Sequence, residues 1–245
     1  MTFKNHQQFY NDPKLYDKIL GEHDLGELEY YKKLASKTKS LLFLGPGTGR
    51  LLKEVCGPDR VVVGVEKSEN MCVACRQNAP QAEIINQDVL ELNLKERFDL
   101  AVAPYEFLNH FDSKHLPRVL GTVAKHLKRC GNFVAQLKNP YHCIGRVHQS
   151  ELDYVELAGK NVLERGYITY NNSQQTYTDI IERVPLDGGE HDVITMDWYY
   201  YLIPQLESYF LKSGLKIKRL MGNFKRAKFA KTSPLLIVEA QKSDW

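Results

Sequence analysis

The stretch Leu41-Leu42-Phe43-Leu44-Gly45-Pro46-Gly47-Thr48-Gly49-Arg50 decides the fold. Four consecutive apolar residues read as a strand buried on both faces, the kind found in parallel sheets. The glycines end it: they permit backbone conformations that side chains forbid and put no Cβ between chain and ligand. Leu51 to Val55 reads as the next helix, whose free N–H groups would face an anion. The following apolar run, Val61-Val62-Val63-Gly64-Val65, ends in Glu66. That acid lies about twenty residues beyond Gly45, the spacing at which a carboxylate reaches ribose hydroxyls. Strand, glycine loop, helix and acid in this order point to a nucleotide-like ligand. The pattern is not a P-loop, since no Gly-Lys-Ser/Thr follows. It is a poor dinucleotide fingerprint, because Arg50 stands where the third glycine would let helix and strand approach.

Working outward, strands and helices alternate. Ser40–Leu44, Arg60–Val65, Ala82–Ile85, Phe98–Ala103 and Gly131–Leu137 read as strands, with helices at Leu51–Val55, Glu69–Asn78 and Lys114–Leu127. Such alternation predicts an α/β fold, a Rossmann-like, doubly wound and mostly parallel sheet covered on both faces. The first forty residues read as broken helix, with apolar stripes Leu15, Ile19, Leu20 and Leu28, Tyr31, Leu34, Ala35. After Pro140 the rhythm changes. Asn161–Tyr170, Gln175–Val184 and His191–Met196 interleave polar and apolar residues between turns at Asn171-Asn172-Ser173 and Asp187-Gly188-Gly189, which predicts an antiparallel β insertion. A helix at Pro204–Ser213 stops at Gly214, and Leu215–Met221 and Pro234–Gln241 complete the chain. The expected division is 1–139 for N-terminal helices and cofactor-binding core, 140–197 for the insertion, and 198–245 for completion of the core sheet.

Composition narrows the class. The 245 residues are 43% hydrophobic and 26% charged with net charge +3, enough apolar matter for one sizeable core and too little charge to imply nucleic acid. No apolar run approaches the roughly 20 residues of a membrane span. The polar start, Met1-Thr2-Phe3-Lys4-Asn5-His6, lacks the apolar stretch of a signal peptide, so a cytoplasmic protein is expected. Five scattered cysteines argue against a disulfide framework, and Cys72-x-x-Cys75 lies in a helix without a second ligand pair, so packing thiols are expected and no metal.

At this point the motifs resemble class I S-adenosylmethionine-dependent methyltransferases. Leu44 to Arg50 looks like their first motif, Val65-Glu66-Lys67-Ser68-Glu69-Asn70-Met71 like the second, Ile85-Asn86-Gln87-Asp88-Val89 like the third and Phe98-Asp99-Leu100-Ala101-Val102-Ala103-Pro104-Tyr105 like the fourth. The resemblance covers nearly the whole chain and implies seven strands with a reversed last strand. It implies S-adenosyl-L-methionine as cofactor, with S-adenosyl-L-homocysteine as product. The implied cofactor contacts are Tyr16, Gly45, Pro46, Gly47, Gly49, Arg50, Glu66, Lys67, Met71, Asp88, Val89 and Pro104. The plainer alternatives are a strand-end acid for Glu66, against which its spacing already speaks, a cap for Asp88 and a core side chain for Met71.

Phe107-Leu108-Asn109-His110-Phe111 lies at the carboxyl end of the fourth strand, where ligands of open α/β sheets bind. An imidazole there can take a proton near neutral pH, so His110 is the candidate base, beside the alternative of a structural histidine. Phe9, Tyr10 and Tyr16 resemble the tyrosine pair opening the small-molecule, amine-methylating branch, which includes aminosugar and glycine methyltransferases. There the N-terminal helix closes over the cofactor; Tyr16 becomes a second catalytic candidate, and aromatic packing is the plainer reading. Tyr10, Tyr105, Asn109, Tyr170 and Trp198 are candidate acceptor contacts, with Tyr167, Tyr177 and Tyr199 further aromatics for the pocket. Ala103-Pro104-Tyr105-Glu106 departs from the D/N-P-P-Y/F of DNA and glutamine methyltransferases. A small-molecule acceptor, with nitrogen favoured over oxygen, is therefore expected. The resemblance leaves room for a homodimer; membrane and nucleic-acid partners are not expected. Two alternatives stay open: an RNA methyltransferase using Lys216, Lys218, Arg219, Lys225, Arg226, Lys228 and Lys231, and a cofactor-binding regulatory protein without chemistry.

Overall fold

The structure, a computed structural model, describes residues 2–5, 10–20, 26–144, 148–157, 160–189 and 191–243. In chain order the elements are β1 (Thr2–Asn5), α1 (Pro13–Leu20), α2 (Glu27–Ala35), β2 (Ser40–Leu44), α3 (Leu52–Val55), β3 (Val61–Glu66), α4 (Glu69–Asn78), β4 (Glu83–Asn86) and β5 (Phe98–Ala103). They continue as α5 (Leu116–His126), β6 (Leu127–Leu137), α6 (Pro140–Cys143), β7 (His148–Leu157), β8 (Lys160–Asn171), β9 (Thr176–Pro185), β10 (Asp192–Tyr199), α7 (Ile203–Lys212), β11 (Leu215–Met221) and β12 (Leu236–Lys242).

Seven strands form the main sheet in the order β11-β12-β6-β5-β2-β3-β4. β2 to β6 run parallel, and β12 is antiparallel to both β6 and β11. This is the expected doubly wound sheet with its reversed strand. β2 shows why an unbroken apolar run was needed. Leu42 and Leu44 belong to the core on one face, with Val119, Val123 and Phe210 from α5 and α7. Leu41 and Phe43 belong to the other, with Tyr31, Leu52 and Cys75 from α2, α3 and α4. Each such side chain, fully withdrawn from water, contributes about 1.5–3 kcal/mol. The strand order reverses between β2 and β5, which opens a crevice at their carboxyl ends.

The second sheet has the order β1-β10-β9-β8-β7, with β7 to β10 an antiparallel meander. It is larger than the sequence reading expected. β1 falls in the stretch whose sequence reads as broken helix, but it pairs in parallel with Asp192–Thr195 of β10. Four residues are too few to display a period, and the partner strand is remote. β7 was not foreseen as a strand. β10 runs to Tyr199, past the expected boundary at 197, and carries Trp198. Odd-numbered residues of β9 and even-numbered residues of β8 and β10 share the inner face of this sheet. Tyr177, Ile194, Met196 and Trp198 join Tyr16, Met71 and Cys143 there in a third core. Among the described residues no helix is long and apolar enough to cross a membrane.

Candidate active site

The carboxyl ends of β2, β3 and β5 open onto a cavity of about 570 Å³, within the usual range for small-molecule sites. Its lining includes Gly45, Gly47, Glu66, Lys67, Asp88, Val89, Pro104, Tyr105, Tyr10, Tyr16 and His110, so most of the expected site residues meet in one space. Phe9 lies outside the described residues.

The loop after β2 needs its glycines. Gly45, Gly47 and Gly49 have φ of 60, 57 and 85°, and a Cβ on Gly45 would stand 2.4 Å from the Phe107 ring. A Cβ on Gly49 would meet Cys75 Sγ at 2.9 Å, so that buried thiol packs under the loop as expected. The helix that follows differs from expectation: α3 has four residues, too short to present an anion site. The loop's Gly47 N–H instead donates to Glu66 Oε2 at 3.1 Å, while Ser68 N–H donates to Oε1 at 2.9 Å. Burial raises the Glu66 carboxyl above the ordinary carboxylate range, against the pull of the N–H groups of Ser68, Gly47 and Lys67. Asp88 both caps and lines: Oδ1 accepts the Leu90 N–H at 2.9 Å and Oδ2 takes Lys67 Nζ at 2.9 Å. Burial opposes its charge, but the Leu90 N–H and the Lys67 ammonium hold it below the usual range.

The N-terminal segment lies over this floor. Ser68 Oγ donates to the Tyr10 carbonyl at 2.8 Å, Asn70 Nδ2 donates to the Asn11 carbonyl at 2.9 Å, and the Thr48 hydroxyl donates to Asp17. They bring the Tyr10 and Tyr16 rings to 5.6 Å of each other. His110 follows: its Nε2 lies 3.5 Å from the Tyr10 hydroxyl, and its ring centroid 4.6 Å from Trp198. Trp198 stacks at 6.1 Å on Tyr177, which meets Tyr170 at 6.3 Å. His110 therefore stands where the cavity meets the aromatic side chains of the third core, an aromatic chamber in which Trp198 and Tyr177 are buried beneath the second sheet.

Several expected residues lie elsewhere. Arg50 turns away from the cavity, placing its guanidinium 3.1 Å from buried Glu27 and against the Tyr105 hydroxyl. Pro46 and Gly49 support the loop from outside the lining. Met71 is fully buried in the third core. Asn109 is also fully buried: its amide donates to the Tyr199 carbonyl and accepts the Lys138 N–H at 3.2 Å, so it braces two backbones. Tyr167 is an odd-numbered residue of β8 and faces away from the chamber toward Glu182, 3.5 Å from its hydroxyl. Tyr199 packs against the main core. In the basic C-terminal stretch, Arg219 and Arg226 each reach Glu239 at 2.9 Å.

Three charged residues escaped the sequence reading: Glu106, Lys138 and Asp179. Tyr105 and Glu106 follow β5 with φ of 48 and 58°, a left-handed pair without glycine. Such residues cost roughly 1–3 kcal/mol each and persist where their surroundings fix them. Here Tyr105 is held by Glu27, Arg50 and Gln136, and Glu106 Oε2 accepts the Tyr177 hydroxyl at 2.9 Å. Burial raises the Asp179 carboxyl to about 6; Lys138 and the Trp198 indole pull it down and Glu106 pushes it up. Burial works against the Lys138 ammonium, but Glu106 and Asp179 outweigh it and raise its pKa.

Residues 41–131 match a family model described as a methyltransferase domain. No curated protein sequence matches the chain. A crystal structure of an S-adenosylmethionine-dependent methyltransferase from Clostridium acetobutylicum superposes with a TM-score of 0.78 at 18% identity, over 94% of this chain and 97% of that one. The CcbJ methyltransferase from Streptomyces caelestis gives 0.76 at 20% identity over 89% of each chain. An S-adenosylmethionine-bound amino pentose methyltransferase from Micromonospora echinaspora gives 0.71 at 15% identity over 91% and 93%. At such identities the likeness speaks for the fold. The chain thus has the fold of these S-adenosylmethionine-dependent methyltransferases, and residues 41–131 match a methyltransferase domain.

Proposed function

We propose that the chain methylates the nitrogen of a small-molecule amine, using S-adenosylmethionine. The observation that carries this reading is His110, held between Tyr10 and Trp198 where the glycine-floored cavity adjoins an aromatic chamber. The residues fit the cofactor. Gly45 and Gly47 leave bare backbone where a Cβ would fill the cradle, and Glu66 and Asp88 offer carboxylate oxygens at its edge. When bound, the cofactor supplies an electrophilic methyl group on a sulfonium, which leaves as a neutral thioether and needs no acid.

The protein's share is placement and a proton. Glu66 and Asp88 hold the polar end, Val89 and Pro104 line the cavity, and Tyr10 and Tyr16 cover it and exclude water. Orienting two reactants supplies on the order of 7–11 kcal/mol of the barrier. His110 takes the proton that the acceptor nitrogen sheds. Tyr16 orients the reacting groups: burial raises its pKa, so its hydroxyl stays protonated. Residues 140–197 act as the roof that selects the acceptor, and the aminated substrate named for the amino pentose methyltransferase supports nitrogen. In the basic stretch that the RNA alternative needs, Arg219 and Arg226 share the single carboxylate of Glu239, which offsets one of their two charges.

Thermal unfolding tests the cofactor. S-adenosylmethionine or S-adenosylhomocysteine at about 100 times its dissociation constant adds roughly 2.7 kcal/mol, which raises the midpoint by about 5–10 °C at this size. A shift with NAD and with neither adenosyl ligand overturns the reading. Formation of S-adenosylhomocysteine across amine and hydroxyl panels then tests the acceptor: turnover confined to hydroxyls refutes nitrogen. Glu66→Ala should weaken cofactor binding by about 1–3 kcal/mol in calorimetry, the scale of hydrogen bonds to a charged group. Equal affinity would remove Glu66 from the site.

A further inference from the structure

Beyond His110 the chamber contains charges that the proton transfer does not use. Glu106 comes from the turn after β5, Lys138 from the residue after β6, and Asp179 from the middle of β9. Register sets Asp179 opposite Met196 on β10 and Ile168 on β8, so its carboxylate interrupts an apolar inner face. The Tyr177 hydroxyl donates to Glu106, and the Lys138 ammonium lies 5.1 Å from the centroid of the same tyrosine ring. Glu106 and Asp179 both act on the Lys138 ammonium, which sits over the Tyr177 ring. Three charges thus act on one another beside Tyr177, Trp198 and Tyr170 of the third core. Two carboxylates and one ammonium leave one negative charge in excess. Aromatic faces add to the attraction for a cation.

We propose that Glu106, Asp179 and Lys138 form a charge selector, which admits acceptors of net charge +1 and rejects neutral and zwitterionic ones. A monocation neutralises the chamber. A zwitterion leaves the excess in place, and a neutral molecule gains nothing for the water it displaces. Lys138 sets the balance: its ammonium offsets one of the two carboxylates and limits the excess to one. The proposal rests on the acceptor being an amine, as argued above.

Trp198 reports on the chamber directly. With Trp245→Phe it becomes the only tryptophan of the chain. The probes are benzylamine, benzyl alcohol and phenylglycine, of similar shape and of charge +1, zero and zwitterionic. In the presence of S-adenosylhomocysteine, benzylamine should change the Trp198 fluorescence with at least tenfold higher affinity than the other two. Asp179→Asn and Glu106→Gln should each weaken benzylamine at least tenfold and leave S-adenosylhomocysteine affinity within twofold. Lys138→Met should do the opposite and tighten benzylamine severalfold, which a merely structural lysine would not do. Equal binding of the three probes, no binding of benzylamine, or weaker binding in Lys138→Met overturns the selector. Loss of S-adenosylhomocysteine binding by the unaltered protein would instead overturn the methyltransferase reading, so the two failures are separable.

Discussion

Gly47→Val abolishes cofactor binding and leaves a folded protein: S-adenosylhomocysteine affinity falls by at least a hundredfold in calorimetry, with a cooperative melt retained. Gly47 has φ of 57°, in the left-handed region that a β-branched residue does not tolerate. Its Cβ would also stand 3.0 Å from the Tyr16 hydroxyl and 3.1 Å from its ring. The loop must then turn to an extended conformation or push Tyr16 from its seat. The first route takes the Gly47 N–H from Glu66, and the second uncovers the cavity. The strain itself is about 1–2 kcal/mol, small beside the burial in the two cores that sandwich β2. Unchanged affinity would move the cofactor away from this loop.

His110→Ala lowers kcat about a hundredfold or more, the span typical of a lost general base, while cofactor affinity stays within a fewfold. The ring lies against Tyr10, Phe107 and Trp198, while the backbone N–H groups of Gly47, Ser68 and Leu90 hold Glu66 and Asp88. Truncation leaves a hole between aromatic walls that added imidazole can enter. Recovery of turnover with imidazole separates proton transfer from packing. A variant with unchanged kcat would make His110 a packing ring, and the attack would then proceed on an amine already deprotonated in solution.

The parallel sheet was legible because β2, β3 and β5 are apolar on both faces, a pattern that survives without knowledge of neighbours. The cavity floor was legible for a related reason. Gly45, Gly47 and Glu66 are close in sequence, and their placement follows from local backbone geometry. The chamber was not. Asp179 lies in a strand whose polar and apolar residues alternate imperfectly, and nothing near it in sequence says that Glu106 and Lys138 face it. Arg50 misled in a subtler way. Its bulk rightly counted against a dinucleotide, but its side chain leaves the site for Glu27, a partner on the preceding helix that spacing does not reveal. Asn109, adjacent to His110, looked like a substrate contact; the short helical turn at Phe107–His110 points it into backbone instead.

The pairing of β1 with β10 has a kinetic consequence. Thr2 meets Asp192, so closing this contact joins residues about 190 positions apart. Contacts of such separation are entropically costly to close and form late. The meander can fold on its own local hairpins, but its β10 edge stays exposed until the first strand returns to cover it. During synthesis that edge waits for a segment that left the ribosome first, an interval in which bare strand edges invite association with other chains. Shortening the chain ahead of Tyr10 should therefore be felt first in refolding yield, before any loss of catalytic competence in the molecules that do fold.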